Sequence, residues 1–193
     1  MTMPDAGGAP AAPMDWDARF RADDAPWERK GLHPAFAHWQ ALGLLEGGKS
    51  IYVPGCGRGE EPLALARAGL HVTAIDLSPT AIDWQVARFA EGSLTAHLEA
   101  GDALAYRPDT PFDLYWEQTF LCAIPPKLRE AYETGAHAQL RPGGVLLALF
   151  MLTQPREFRP LNGRVHRKED GPCARAVIRR SRSSACSGST MLV

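Results

Sequence analysis

Three glycines at alternate positions, Gly55, Gly57 and Gly59, follow the apolar run Ile51-Tyr52-Val53-Pro54 and precede a stretch that begins Glu60-Glu61-Pro62. Glycine has no Cβ and tolerates φ > 0, so this backbone can turn tightly and come close to a bound molecule. The third glycine stands one residue earlier than a dinucleotide-binding loop requires. Glu60 and Glu61 fall in the first helical turn, where carboxylates suit the helix dipole but repel phosphate. A ligand with a sugar and a positively charged or zwitterionic end fits such a loop better. The next apolar run, His71 to Asp76, ends in a carboxylate that lies across the sheet edge from the loop, placed to accept hydrogen bonds from two ribose hydroxyls. Gly101-Asp102 follows a third short run, Ala96 to Glu99, and an aspartate there can meet an adenine amino group. Loop and carboxylates together predict an adenosine-type ligand, although a strand-end aspartate before Ser78-Pro79, or a Gly-Asp pair, can also simply begin a turn.

Alternating strands and helices must hold these residues in place. From Lys49 onward the pattern implies βαβ units and a parallel sheet covered on both faces. Strands are expected at Ile51–Val53, Val72–Ile75, Ala96–Glu99, Phe112–Trp116 and Val145–Leu152. The helix after the loop closes at Gly69. Ser78 can cap the next one, with Pro79 at its first position and Ile82, Val86 and Phe89 as its apolar stripe. Pro125-Pro126 opens a helix that runs to Leu140, and Pro142-Gly143-Gly144 turns into the fifth strand. Ahead of the sheet, Met14 to Gly48 reads as helical, with Trp16, Phe20, Trp27, Phe36, Trp39 and Leu42 as apolar points and a break at Gly31 to Pro34. The expected fold class is α/β, a doubly wound, mostly parallel, Rossmann-like sheet with an N-terminal helical lid.

The 193 residues are 45% hydrophobic and 22% charged, enough for one domain with a substantial core. A formal net charge of −1 offers no long-range attraction to nucleic acid or to an anionic membrane, and a monomer with a small-molecule partner is expected. Cys56, Cys122, Cys173 and Cys186 form no Cys-x-x-Cys pair and have no His at metal spacing, which predicts a reducing compartment and no metal. Cys56 and Cys122 read as small buried hydrophobes. Met1 to Pro13 lacks a secretory pattern and the longest apolar run, Val145 to Leu152, is far short of a membrane span, so a cytoplasmic location is expected. Residues 1–13 read as a disordered tail and 14–160 as the domain, divided into a lid over 14–48 and an α/β core over 49–160. After Asp170 there is no acidic residue, while Arg175, Arg179, Arg180 and Arg182 stand among serines. Residues 161–193 are therefore expected to be a divergent basic tail, either disordered or the product of a shifted reading frame or truncation that removed terminal strands.

Gly55-Cys56-Gly57-Arg58-Gly59, Asp76 and Gly101-Asp102, in this order and spacing, resemble the S-adenosylmethionine (AdoMet) site of class I methyltransferases. Trp16-Asp17-Ala18-Arg19-Phe20 with Pro26-Trp27-Glu28, the Val53-Pro54-Gly55-Cys56-Gly57 form of the loop, and Tyr115-Trp116-Glu117-Gln118-Thr119-Phe120-Leu121-Cys122-Ala123-Ile124-Pro125 are similar to the thiopurine methyltransferase superfamily, which includes halide, thiocyanate and thiol methyltransferases. The similarity covers roughly residues 14 to 160. It implies AdoMet as cofactor, held by Gly55, Cys56, Gly57, Gly59, Asp76, Leu77, Asp102, Ala103, Glu117 and Gln118. Trp16 and Trp27, otherwise plain core aromatics, would line or lid the pocket, where an indole face attracts a sulfonium. Glu117, at the carboxyl edge of the fourth strand, would hold the methionine amino group or else be a solvated strand end. Gln118 departs from the arginine or tyrosine usual in the family, which opens the question of acceptor class. Gly171-Pro172-Cys173 departs from the family's Gly-Pro-Pro-aromatic element.

Displacement at a sulfonium neutralises charge, so a soft nucleophile needs alignment and exclusion of water more than acid-base help. No residue is assigned a catalytic role, and His33 is the one histidine read as a candidate acceptor-site group. Three readings compete: methyl transfer to a thiol, thiopurine, halide, thiocyanate or selenium or tellurium species; AdoMet binding without turnover; and nicotinamide-dependent oxidoreduction, which the glycine spacing and the two glutamates disfavour.

Overall fold

The computed structural model describes residues 14–151 and 173–179. Helices α1 (Trp16–Arg21) and α2 (Ala35–Ala41) precede β1 (Ser50–Pro54), α3 (Glu61–Arg67), β2 (His71–Asp76), α4 (Pro79–Glu91), β3 (His97–Ala100) and β4 (Phe112–Gln118). Helix α5 (Phe120–Ala123), a 3-10 turn at Pro126–Leu128, α6 (Arg129–Gln139), β5 (Leu140–Met151) and β6 (Cys173–Arg179) follow. All six strands join one sheet in the order β3-β2-β1-β4-β5-β6. Strands β1 to β5 are parallel and β6 runs antiparallel to β5. This is the expected doubly wound α/β architecture.

The two-residue period of a strand divides the core between the two faces. Ile51 and Val53 of β1, Leu114 and Trp116 of β4, and Val145, Leu147 and Leu149 of β5 pack with Phe36 and Trp39 of α2, Leu63 and Leu65 of α3, and Ile82 and Phe89 of α4. One residue out of phase on the same strands, Tyr52, Tyr115, Leu146 and Ala148 pack with Tyr132 and Ala136 of α6 on the other face. Near-continuous apolar strands follow from burial on both sides.

Local chemistry sets the helix starts. The Ser78 hydroxyl accepts from the Ala81 N–H at 3.1 Å and Pro79 occupies the first turn of α4, as the sequence predicts. Two of the three residues expected in the α4 stripe, Ile82 and Phe89, are buried, but Val86 is 50% exposed and Gln85 is fully buried in its stead. A helix turned to bury positions 82 and 89 can bring 85 inward as readily as 86, and here an inward amide finds two carbonyls to bond. Leu42, expected as an apolar point, is 58% exposed beyond the end of α2. Strand β5 begins at Leu140 and not at Val145; the Pro142-Gly143-Gly144 turn lies inside it, where the β4–β5 register shifts between Phe112 and Leu114.

Strand β6 was not legible in the sequence. Its backbone pairs with β5 from Val145↔Arg179 to Met151↔Cys173. The exposed N–H and C=O row of β5 accepts an extended segment through main-chain bonds, which do not require an apolar pattern. The expectations for residues 1–13, and those for the basic tail apart from this strand, fall outside the described residues.

Candidate functional site

The carboxyl ends of the parallel strands open into a cavity of about 380 Å³, where open α/β sheets take their ligands. The glycine loop forms its floor. Gly55 and Gly57 have φ of +58° and +49°, the left-handed region that favours glycine. The Gly55 and Cys56 N–H groups both point at the Ile75 carbonyl, at 2.7 and 3.3 Å, which pins the turn to β2. A Cβ on Gly55 would run into the Phe120 ring, and one on Gly57 would stand 3.2 Å from the Phe20 Cζ. Gly55→Ala combines left-handed strain with overpacking, about 2–4 kcal/mol together. A melting temperature lower by about 5–10 °C is expected, with weakened ligand binding; unchanged melting would show that the loop relaxes without cost.

Asp76, at the tip of β2, is 7% exposed and lines the cavity. Its Oδ2 accepts from the Gly57 N–H and its Oδ1 from the Ser78 N–H, both at 2.9 Å. A carboxylate offers about four lone-pair positions, so each oxygen keeps one for a further donor. Burial raises the Asp76 pKa, the two amide bonds oppose that rise, and the nearby Asp17 carboxylate adds to it. Gln85, which the sequence reading missed, clamps the same loop: its Nε2 donates to the Gly57 and Gly59 carbonyls at 3.0 and 2.9 Å. A glutamine inside an apolar helical stripe was its one visible signal.

Leu77, Asp102, Ala103 and Leu104 line the β2–β3 end. Leu77 is 57% exposed and Ala103 6%. The Asp102 Oδ1 accepts from the Leu104 N–H at 2.9 Å, so the turn reading holds for one oxygen while the residue still faces the cavity. The Ala103 carbonyl accepts from the Tyr52 hydroxyl at 2.9 Å.

Segments from the start of the domain close the opposite side. Trp16, Phe20 and Trp27 line the cavity, with Trp27 edge-on to Trp16 at 5.5 Å and to Phe20 at 5.9 Å. The Arg19 guanidinium lies 4.4 Å from the Trp27 ring centre, so one indole face already carries a cation. Two polar ties hold this cover down. Asp17 accepts from the Ser78 hydroxyl at 2.6 Å and the Thr80 N–H at 3.0 Å, bonds that lower its pKa to about 2. Arg58, on the glycine loop, bonds both oxygens of Glu28 at 2.8 and 2.9 Å and the Asp23 carboxylate at 2.7 Å.

The two neighbours at the end of β4 separate. Gln118 lines the cavity; its Oε1 accepts from Trp116 Nε1 at 3.3 Å and its Nε2 donates to Glu61 Oε1 at 3.1 Å. Glu117 is not among the lining residues and is fully buried on the other face, with Oε1 accepting from the Leu121 N–H at 3.1 Å and Oε2 from the Tyr132 hydroxyl at 3.2 Å. The pleat turns consecutive side chains to opposite faces, so Glu117, expected to hold a methionine amino group, points away from the cavity. Burial pushes its pKa up to about 7. His33 likewise stays off the cavity lining, and its Nδ1 accepts from the Ala35 N–H at 3.1 Å at the start of α2.

Cys56 is 8% exposed, and burial pushes its thiol pKa up, as expected of a buried hydrophobe. Cys122 is exposed instead, and its Sγ–H donates to the Thr119 carbonyl at 2.9 Å. Among the described residues no group of three or more His, Cys, Asp or Glu could hold a metal, and no helix is long and apolar enough to cross a membrane.

A parallel sheet in this order, with an antiparallel edge strand and a cavity over the carboxyl ends of β1, β2 and β4, defines a Rossmann-like fold of the class I methyltransferase type. The chain belongs to the thiopurine S-methyltransferase (TPMT) family, whose pattern matches residues 11–157. It is 30% identical over 147 residues to the probable thiol methyltransferase 2 of Arabidopsis thaliana, covering 75% of this chain and 65% of that protein. It is 29% identical over 155 residues to the thiopurine S-methyltransferase of Pseudomonas entomophila (strain L48), covering 71% of each. A solved structure described by the words "Conversion of a Disulfide Bond into a Thioacetal Group during Echinomycin Biosynthesis" superposes with a TM-score of 0.64 at 31% identity, covering 71% of this chain and 59% of that one. The chain thus spans less than two thirds of the plant relative's length.

The family implies AdoMet as cofactor, and the residues present fit it. The bare α-carbons of Gly55, Gly57 and Gly59 let Phe120, Phe20 and the Glu61 carboxylate pack directly against the loop, so that these side chains wall the cavity. Asp76 retains acceptor capacity for a diol, and the cavity walls carry both carboxylates and a guanidinium, as a zwitterion requires.

Proposed function

We propose that this chain transfers the methyl group of AdoMet to a small soft nucleophile: a thiol, thiopurine, halide, thiocyanate, or a selenium or tellurium species. The observation that carries the reading is the covered cavity over the strand ends, with Asp76 aimed into it beside three glycines. The similarity to the plant and Pseudomonas relatives, a probable thiol methyltransferase and a thiopurine S-methyltransferase, supports the acceptor class.

Bound AdoMet supplies an electrophilic methyl carbon on a sulfonium, whose sulfur keeps the bond's electron pair as the nucleophile takes the methyl group. The chain's part is to align and to exclude water. Asp76 would hold the ribose hydroxyls, Leu77, Asp102 and Ala103 would border the adenine, and the glycine loop would border the rest of the cofactor. Phe120, Ile124, Pro125 and Leu128 give the remaining wall an apolar surface, where a soft anion loses its hydration and a nearby cationic sulfonium attracts it more strongly. Trp16, Phe20 and Trp27, held by Asp17 and Arg58, keep the site dry. Gln118, a neutral side chain on the cavity wall, is consistent with a small or polarisable acceptor that needs no charge partner.

The test is AdoMet consumption measured across thiols, thiopurines, halides, thiocyanate and selenium or tellurium oxyanions. Release of S-adenosylhomocysteine with one of these is expected. Calorimetric binding of AdoMet without turnover on any of them would overturn the catalytic reading in favour of a binding protein, and binding of NAD in place of AdoMet would overturn both.

A further inference from the structure

The carboxylate expected to hold the methionine end, Glu117, faces away from the cavity, which leaves the question of which group replaces it. Strand order divides the cavity. Asp102 follows β3 and Asp76 ends β2, so adenosine lies on that side and the methionine end must extend over β1 and β4. Two glutamates line the rest of the wall. Glu28 is spent on Arg58, with both of its oxygens bonded.

Glu61, at the start of α3 beside the end of β4, is different. It is 5% exposed and lines the cavity, yet among the described residues no Lys or Arg nitrogen lies within 4.0 Å of it. Its Oε1 accepts from Gln118 Nε2 at 3.1 Å and the His33 N–H at 3.3 Å. Gln118 is itself oriented by Trp116 Nε1. Oε2 lies against Gly59, where a Cβ would stand 2.8 Å from it, so the bare α-carbon of the third loop glycine is what gives this carboxylate room. A buried carboxylate without a cation is costly, and a ligand ammonium relieves that cost on binding. Arg29, on the same cavity wall and with no carboxylate within 4.0 Å among the described residues, adds the opposite charge that an amino-acid end requires.

We propose that Glu61 receives the α-ammonium of the cofactor's methionine end and that Gln118 is its positioning residue; this rests on the AdoMet reading above. Gln118 then serves the cofactor through Glu61 as well as facing the acceptor.

The test compares calorimetric affinities of AdoMet, its analogue lacking the α-amino group, and methylthioadenosine, which lacks the amino-acid end. Wild type should bind AdoMet roughly ten- to a hundredfold more tightly than the des-amino analogue, the value of a charge-assisted bond. Glu61→Gln should lose that discrimination while binding methylthioadenosine as wild type does. Equal weakening of AdoMet and methylthioadenosine in Glu61→Gln would make Glu61 a structural residue and overturn the assignment. Should Glu61→Gln fail to fold, the wild-type pair decides alone, since equal affinity for AdoMet and the des-amino compound overturns it. Wild type that binds neither AdoMet nor methylthioadenosine would reject the underlying cofactor reading, an outcome distinct from a failure of Glu61.

Discussion

Asp76→Ala should weaken AdoMet binding about a hundredfold and destabilise the ligand-free protein at the same time. The first effect is the loss of a charged acceptor for two ribose hydroxyls, about 2–3 kcal/mol. The second arises because the Gly57 and Ser78 N–H groups both bond this carboxylate at 2.9 Å and would lose their acceptor in a site that is nearly closed to water. Each orphaned amide costs about 1–3 kcal/mol. Asp76→Asn separates the effects. Its carbonyl can keep one amide bond, but its NH₂ meets a second N–H, so an intermediate loss of stability is expected. Titration calorimetry and urea unfolding read the two quantities independently. Unchanged AdoMet affinity in Asp76→Ala would reject the ribose assignment, and an unchanged urea midpoint would reject its role as the loop's anchor.

Glu117 yields the second large effect, on stability and with a defined pH dependence. Its ordinary pKa is 4.5, and burial lifts it to about 7 against the Leu121 and Tyr132 hydrogen bonds. Below about pH 4.5 the carboxyl is neutral in folded and unfolded chains alike, and the folded state carries no charge penalty. As pH rises, the unfolded chain ionises first, and by pH 8 the folded protein must either hold a proton or bury a charge. The stability present at low pH is therefore lost between about 4.5 and 7, in all about 3 kcal/mol. Glu117→Gln removes the titration and keeps the geometry, since its carbonyl can accept from the Leu121 N–H and its NH₂ can donate to the Tyr132 oxygen. Relative to wild type, the variant should gain about 3 kcal/mol between pH 4.5 and pH 8 in urea-midpoint measurements. Parallel pH curves for the two proteins would contradict the burial of this charge.

Particular residues show how far the chain could be read before it was folded. The glycine loop, Asp76, the Ser78 cap and the βαβ alternation rest on local rules: no Cβ, a carboxylate at a strand end, a hydroxyl before a proline, a period of two or of 3.6. Each was legible and each stands where expected. Asp102, Trp16 and Trp27 reach the cavity too, but their contacts differ from expectation, because Leu104 takes one oxygen of Asp102 and Arg19 covers one face of Trp27. Glu117 and Gln118 are adjacent in the chain, and strand periodicity puts them on opposite faces. Which face is the ligand's depends on where α3 and α6 dock.

The amino-acid order by itself determined the class of fold, the loop, the strand-end carboxylate of Asp76 and the family, since all of these are written in short-range spacing. Tertiary structure decided which carboxylate meets the cavity, that Gln85 and not Val86 turns inward, that Arg58 and Asp17 tie down the indole cover, and that an arginine-bearing segment completes the sheet as β6. Those outcomes depend on partners 19 to 63 positions away in the chain. Their strength comes from desolvation and from docking angles between elements, which no window of neighbouring residues encodes.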